Sequence, residues 1–307
     1  MPRHRSSWRS SPASRARSDA AHDAGPTSAD YDAGDLAASE NPMVRLLSRW
    51  LPLLALLMMS GCTSLPDSAR GRFEARAVKV DGQTAYYQVF IPAGVPAAAP
   101  THLPVVLFLH GSGERGADGV KQTHAGLGPY LRAHPDFPAL VVFPQVPGHE
   151  EWSGRNNRAA VAALDATIAE FGADPARQYL TGMSMGGYGS WNIALDDPRR
   201  FAAIVPVCGA VLAPRAVRPT LFVEQVAHEA DPYAVIAQRL QHTPIWIFHG
   251  ALDDVVPPDD DRRLHAAFQR AAARDVRYTE YPEGNHNAWD ATYADPAMWE
   301  WLFAQKR

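Results

Sequence analysis

A serine can act as a covalent nucleophile only if the chain also supplies a base to take its proton and an acid to orient that base. The segment Gly182-Met183-Ser184-Met185-Gly186 offers such a serine. It follows an apolar, strand-like run at 178–181 and precedes a helix-like stretch at 185–195. That is the context in which a sharp strand-to-helix turn lifts a hydroxyl above the edge of a sheet. Glycines flank the serine because such a turn strains the backbone and leaves no room for a Cβ. Gly187 adds a further small position where helix and strand approach. The competing reading is a glycine-rich turn with an incidental serine, so the rest of the set must be found.

In this arrangement the order is serine, acid, histidine, each in a loop after a later strand. The acid is expected after the apolar run 245–248, in His249-Gly250-Ala251-Leu252-Asp253-Asp254-Val255-Val256-Pro257, which makes Asp253 and Asp254 the candidates. Only His265 and His286 follow them. His265 falls inside an amphipathic helix, whereas His286, in Gly284-Asn285-His286-Asn287, directly follows the last predicted strand and is the candidate base. Acyl transfer also needs donors for the oxyanion. The backbone N–H of Met185 is one; the N–H of Ser112, in Leu109-His110-Gly111-Ser112-Gly113, is the other, with His110 read as a turn residue. Glu114 and Trp152 are candidate substrate contacts. Tyr188 and Trp191 are alternative pocket walls that read equally as core, and Glu114 and Arg115 read equally as supports of their own loop.

These residues need a scaffold. Two alternating β-rich runs, 72–80 and 84–91, flank Asp81-Gly82, a strong hairpin signal. Continuous apolar runs at 105–109, 139–143, 178–181, 202–207 and 245–248 are expected of strands buried on both faces of a parallel sheet, with a last strand near 277–281. Between them, Val161, Leu164, Ile168 and Phe171 mark one helical face over 157–171. A second helix over 259–273 opens with Pro257-Pro258 and an acidic first turn, and a third closes the chain over 296–305. Strands alternating with helices predict an α/β fold: a mainly parallel sheet, an antiparallel start and helices on both faces. Residues 211–242 exceed a simple crossover and read either as a crossover helix with a long loop or as a cap or rim over the site.

The 307-residue chain is 46% hydrophobic and 20% charged, enough to bury a large core in residues 71–307. A net charge of -4 gives no footprint for nucleic acid. Two cysteines, Cys62 and Cys208, cannot build a disulfide framework or a cysteine zinc site. No His-Glu-x-x-His pattern is present, so no metal or cofactor is expected. Residues 1–42 are polar and aperiodic and read as disordered, an extension ahead of Met43. Residues 43–61 pair basic residues with an apolar run too short to span a membrane, the pattern of a secretory signal. Met59-Ser60-Gly61-Cys62 resembles a bacterial lipoprotein signal, which implies lipid attachment at Cys62, residues 62–70 as a linker and a cell-envelope location. An ordinary signal and secretion is the alternative.

With these pieces assembled, the sequence resembles the α/β-hydrolase superfamily, in particular bacterial predicted peptidases and carboxylesterases related to dienelactone hydrolase and polyhydroxybutyrate depolymerase. The stretches that carry the resemblance are Leu107–Gly116, Gly182–Gly187, His249–Pro257, His286-Asn287-Ala288-Trp289-Asp290 and Trp299–Phe303. The resemblance implies that Asp253, fifth in His-Gly-x-x-Asp-x-x-Val-Pro, is the acid. It implies a serine hydrolase acting on a small ester or short peptide without a cofactor. Ester hydrolysis is the first expectation. The alternatives are a serine peptidase of the prolyl-oligopeptidase-like kind and a non-catalytic cell-surface binding protein on the same scaffold.

Overall fold

The apolar runs become strands, and most of them have no exposed face. In the computed structural model, which describes residues 70–95, 100–214 and 218–307, the strands are β1 (Arg72–Val80), β2 (Gln83–Ile91), β3 (Val105–Leu109), β4 (Leu140–Pro144), β5 (Gln178–Met183), β6 (Ala203–Val207), β7 (Ile245–Gly250) and β8 (Val276–Tyr281). The extension, the signal segment, Cys62 and the linker as far as residue 69 lie outside the described residues. All eight strands form one sheet in the order β1-β2-β4-β3-β5-β6-β7-β8. β1 pairs antiparallel with β2, and β2 antiparallel with β4; every later pairing is parallel. Asp81 and Gly82 turn the hairpin with φ of 53° and 76°, as a tight two-residue hairpin turn requires.

Period-two alternation sends neighbouring residues of a buried strand into different layers. On β3, Val105, Leu107 and Leu109 enter one core, with Leu164, Trp191, Ile236 and Phe268. Val106 and Phe108 enter the other, with Leu127, Tyr293, Met298 and Trp299. Helices therefore cover both faces. The first layer holds α2 (Gly154–Phe171), α3 (Met185–Asp196), α4 (Pro232–Arg239) and α5 (Asp259–Arg270); the second holds α1 (Leu127–Ala133), α6 (Trp289–Ala294) and α7 (Pro296–Ala304). α1 carries no sequence signal because Gly128 and Pro129 occupy its first turn. Proline is tolerated there, and a Cβ on Gly128 would sit 1.9 Å from the Thr123 carbonyl oxygen.

Residues 211–242 divide in two. The later part forms α4, which packs on α5 as a crossover helix does. The earlier part is tied down at its start: Val223 N–H donates to the Val211 carbonyl, and the Asp260 carboxylate accepts from the N–H groups of Val211 and Leu212.

The C-terminal helices matter to the site because α6 begins three residues after His286. They are held by an aromatic cluster in which Trp299 stacks on Tyr293, meets Phe137 edge-on at 4.9 Å, and donates its indole N–H to the Tyr293 carbonyl. Trp299→Ala is expected to destabilise the fold by about 3–5 kcal/mol, read as a lower urea midpoint. An unchanged midpoint would show that the cluster does not anchor these helices.

Candidate active site

The glycines of the Ser184 segment are fixed by backbone contacts. A Cβ on Gly186 would stand 1.9 Å from the Leu109 carbonyl oxygen, and one on Gly182 would stand 2.3 Å from that of Gly186. The first turn of α3 is thereby pressed against the end of β3. Ser184 has φ 54° and ψ -118°, a region that side chains avoid. The turn still closes, because Ser184 N–H donates to Val207 O and Ser184 O accepts from the N–H of Gly187.

Ser184 Oγ lies 2.9 Å from His286 Nε2, and His286 Nδ1 lies 2.6 Å from Asp253 Oδ2. The other carboxylate oxygen of Asp253 accepts from the N–H groups of Val255 and Val256, both at 2.9 Å. Asp253 is buried and Asp254 exposed, so of the two candidates the structure brings Asp253 to the histidine. Burial alone would raise the Asp253 carboxyl. The His249 imidazole 3.2 Å away and hydrogen bonds from His286 and Val256 outweigh it and hold the group far below the usual carboxylate range. The loops carrying Asp253 and His286 are laced together: Leu252 N–H donates to Gly284 O, and a Cβ on Gly250 would lie 2.2 Å from Asn285 O.

Ser112, in a single 3-10 turn over Ser112–Glu114, follows β3 and borders the cavity over Ser184; Met185 opens α3 beside it. His110 is a turn residue. It is buried, donates from Nδ1 to Gly111 O at 2.6 Å, and accepts from Val146 N–H at Nε2. Burial pushes its imidazole down to about 4, which leaves it neutral, as these two bonds require. Glu114 borders the cavity, and burial raises its carboxyl. Arg115 supports the loop by donating to Ser112 O and Glu150 O.

The cavity has a volume of about 390 Å³ and a largely apolar wall of Met183, Pro214, Leu221, Val255, Val256 and Trp289. Trp152 is not among its lining residues, which corrects the expectation for that side chain. Its indole is buried behind the loop that carries Ser112, donates to His110 O, and packs over Gly189 of α3. Tyr188 and Trp191 are likewise core. The sequence reading missed Arg218, which borders the cavity, donates to Ser112 Oγ, and forms an ion pair with Glu151 at 2.6 Å. Only the tertiary fold joins these three residues, so no local pattern marks them. It also missed Trp289, whose ring meets His286 edge-on at 5.5 Å. The early part of residues 211–242 thus forms a rim through Pro214, Arg218 and Leu221.

The sheet order, the serine at a strand-to-helix turn and the chain order Ser184, Asp253, His286 define an α/β-hydrolase fold. The chain belongs to the prolyl oligopeptidase family, whose pattern matches residues 147–304. Among solved structures, that of a thermostable esterase is 31% identical with a TM-score of 0.64, covering 76% of this chain and 63% of its own. A poly(3-hydroxyoctanoate) depolymerase of Pseudomonas fluorescens is 31% identical over 130 residues, 40% of this chain and 39% of that protein. An uncharacterized secreted protein of Arthroderma benhamiae is 26% identical over 206 residues, 60% of this chain and 21% of that protein. The chain thus spans about two fifths and one fifth of the length of these two curated relatives.

Because the Asp253 carboxyl is lowered in the fold, its ionisation adds stability that is present above the unfolded value of about 4 and is lost as pH falls below it. The urea midpoint of the wild type should exceed that of Asp253→Asn by a constant margin above about pH 5, and the margin should shrink as pH drops below about 4. A margin independent of pH down to 2.5 would refute the assignment.

Proposed function

We propose that this protein is a serine hydrolase that cleaves carboxylic esters through an acyl-enzyme. The observation that carries the reading is the unbroken hydrogen-bond line from Ser184 Oγ to His286 and Asp253, at 2.9 and 2.6 Å, beneath a cavity with an apolar wall. His286 takes the hydroxyl proton as Ser184 attacks the ester carbonyl, and Asp253 holds the imidazole tautomer and stabilises the imidazolium. The N–H groups of Ser112 and Met185 receive the oxyanion. His286 returns the proton to the departing alcohol, and water attacks the acyl-enzyme by the same route in reverse. The chemistry calls for no cofactor. The apolar wall suits an aliphatic or aromatic acyl group, and the names of the esterase and depolymerase relatives favour an ester over an amide.

Family membership favours a second reading, a serine peptidase. A fluorophosphonate probe should label the wild type and fail on Ser184→Ala; equal labelling of both would remove Ser184 from the mechanism. Short p-nitrophenyl esters should be turned over at least 100-fold faster in kcat/KM than aminoacyl or peptide p-nitroanilides, a gap of about 2.7 kcal/mol in barrier. The reverse order would establish the peptidase.

For location we propose the cell envelope, with a lipid on Cys62. The Met59–Cys62 pattern supports this, and one relative is named a secreted protein. Processing should be blocked by globomycin, and Cys62→Ser should release the protein from the membrane fraction. Unaltered fractionation of Cys62→Ser would exclude the anchor.

A further inference from the structure

Asp253 meets a second imidazole at the oxygen that faces His286. His249, at the end of β7, is completely buried, as is the Asp253 side chain beside it. Asp253 Oδ2, the oxygen that meets His286 Nδ1 at 2.6 Å, also lies 3.2 Å from His249 Nε2. The same nitrogen is 2.8 Å from the Val256 carbonyl oxygen, and His249 Nδ1 is 2.7 Å from Oδ2 of the buried Asp261 in the first turn of α5.

We infer that His249, itself held by Asp261, is a positioning residue that holds Asp253 at the oxygen its imidazole shares with His286. The inference rests on the reading of Ser184, His286 and Asp253 as the reacting line.

Both atoms facing His249 Nε2, a carboxylate and a carbonyl oxygen, can only accept, so this nitrogen carries a proton. Val256 belongs to the turn whose N–H groups hold the other oxygen of Asp253. One ring therefore braces both the carboxylate and the turn that presents it. Burial would push the His249 imidazole down, but the neighbouring carboxylates of Asp253 and Asp261 outweigh that and lift it to about 10. The other titratable groups that act on this cluster are Asp260 on α5, Tyr278 and Glu280 on β8, Tyr188 on α3 and Cys208 after β6.

A role in stability alone fits less well. Buried ion pairs add little net stability over apolar packing, and the second oxygen of Asp261 is buried without a hydrogen-bond partner. What the pair supplies is a fixed direction for Asp253, and misplacement of a reacting group by about 1 Å can cost about 100-fold in rate.

The test uses the full chain and a short p-nitrophenyl ester. His249→Leu, which removes donor and charge, should lower kcat by about 100-fold with KM changed less than about threefold. His249→Gln keeps a donor and should recover about tenfold of that loss. In both, the acid limb of kcat should move to higher pH, because a cation that opposes protonation of His286 has gone. Folded variants with wild-type kcat and an unmoved acid limb would overturn the inference. If both unfold, Asp261→Asn carries the same test with an expected drop of about tenfold, and an unchanged kcat overturns it. Should that variant unfold too, the ¹⁵N-histidine spectrum of the wild type at pH 8 decides. It should contain one ring protonated on both nitrogens, and its absence overturns the inference. A wild type that neither labels with fluorophosphonate nor turns over ester refutes the Ser184 reading instead, and the nitrogen spectrum still reports on His249.

Discussion

The site depends on one steric constraint: the backbone of α3 touches the backbone at the end of β3 with no atom to spare at Gly186. That contact places the serine turn and the loop carrying Ser112 against each other before any side chain is considered. Ser184 and one candidate oxyanion donor therefore share a rigid base, the C-terminal ends of two adjacent parallel strands. A second such contact, between Gly250 and the Gly284–Asn285 backbone, joins the acid and base loops in the same way. In both places a missing Cβ sets the spacing, and polar side chains then complete it.

Around this base the electrostatics are graded. His110 and His249 are both buried beside the reacting line, yet they carry opposite protonation. His110 has one acceptor and one donor as partners and is neutral; His249 has only acceptors at Nε2 and a carboxylate at Nδ1. Burial pushes one imidazole down, and in the other loop carboxylate partners outweigh burial and push it up. Arg218 and Glu151 form a third polar unit, linking the rim to Ser112 without adding net charge to a largely apolar cavity.

Much of the scaffold was legible because burial on both faces leaves a continuous apolar run, as at Val105–Leu109 and Ala203–Val207. The order of Ser184, Asp253 and His286 was legible because each stands just after such a run. Short helices were not: α1 hides behind Gly128-Pro129, and α6 has too few turns to show a period. Trp152 was misplaced because nearness in sequence to functional loops says nothing about which side of a loop a ring occupies. Arg218, Glu151 and Ser112 meet only in three dimensions. So do His249 and Asp261, whose residues read locally as a motif histidine and a helix-capping acid.

The strained backbone at Ser184 has an evolutionary consequence. A side chain held at φ 54° costs about 1–3 kcal/mol, which glycine would largely avoid. A descendant freed from chemistry would gain robustness by exchanging the serine for glycine, and that drift would be hard to reverse, since regaining serine means accepting the strain again. The turn thus acts as a ratchet that strain drives away from serine.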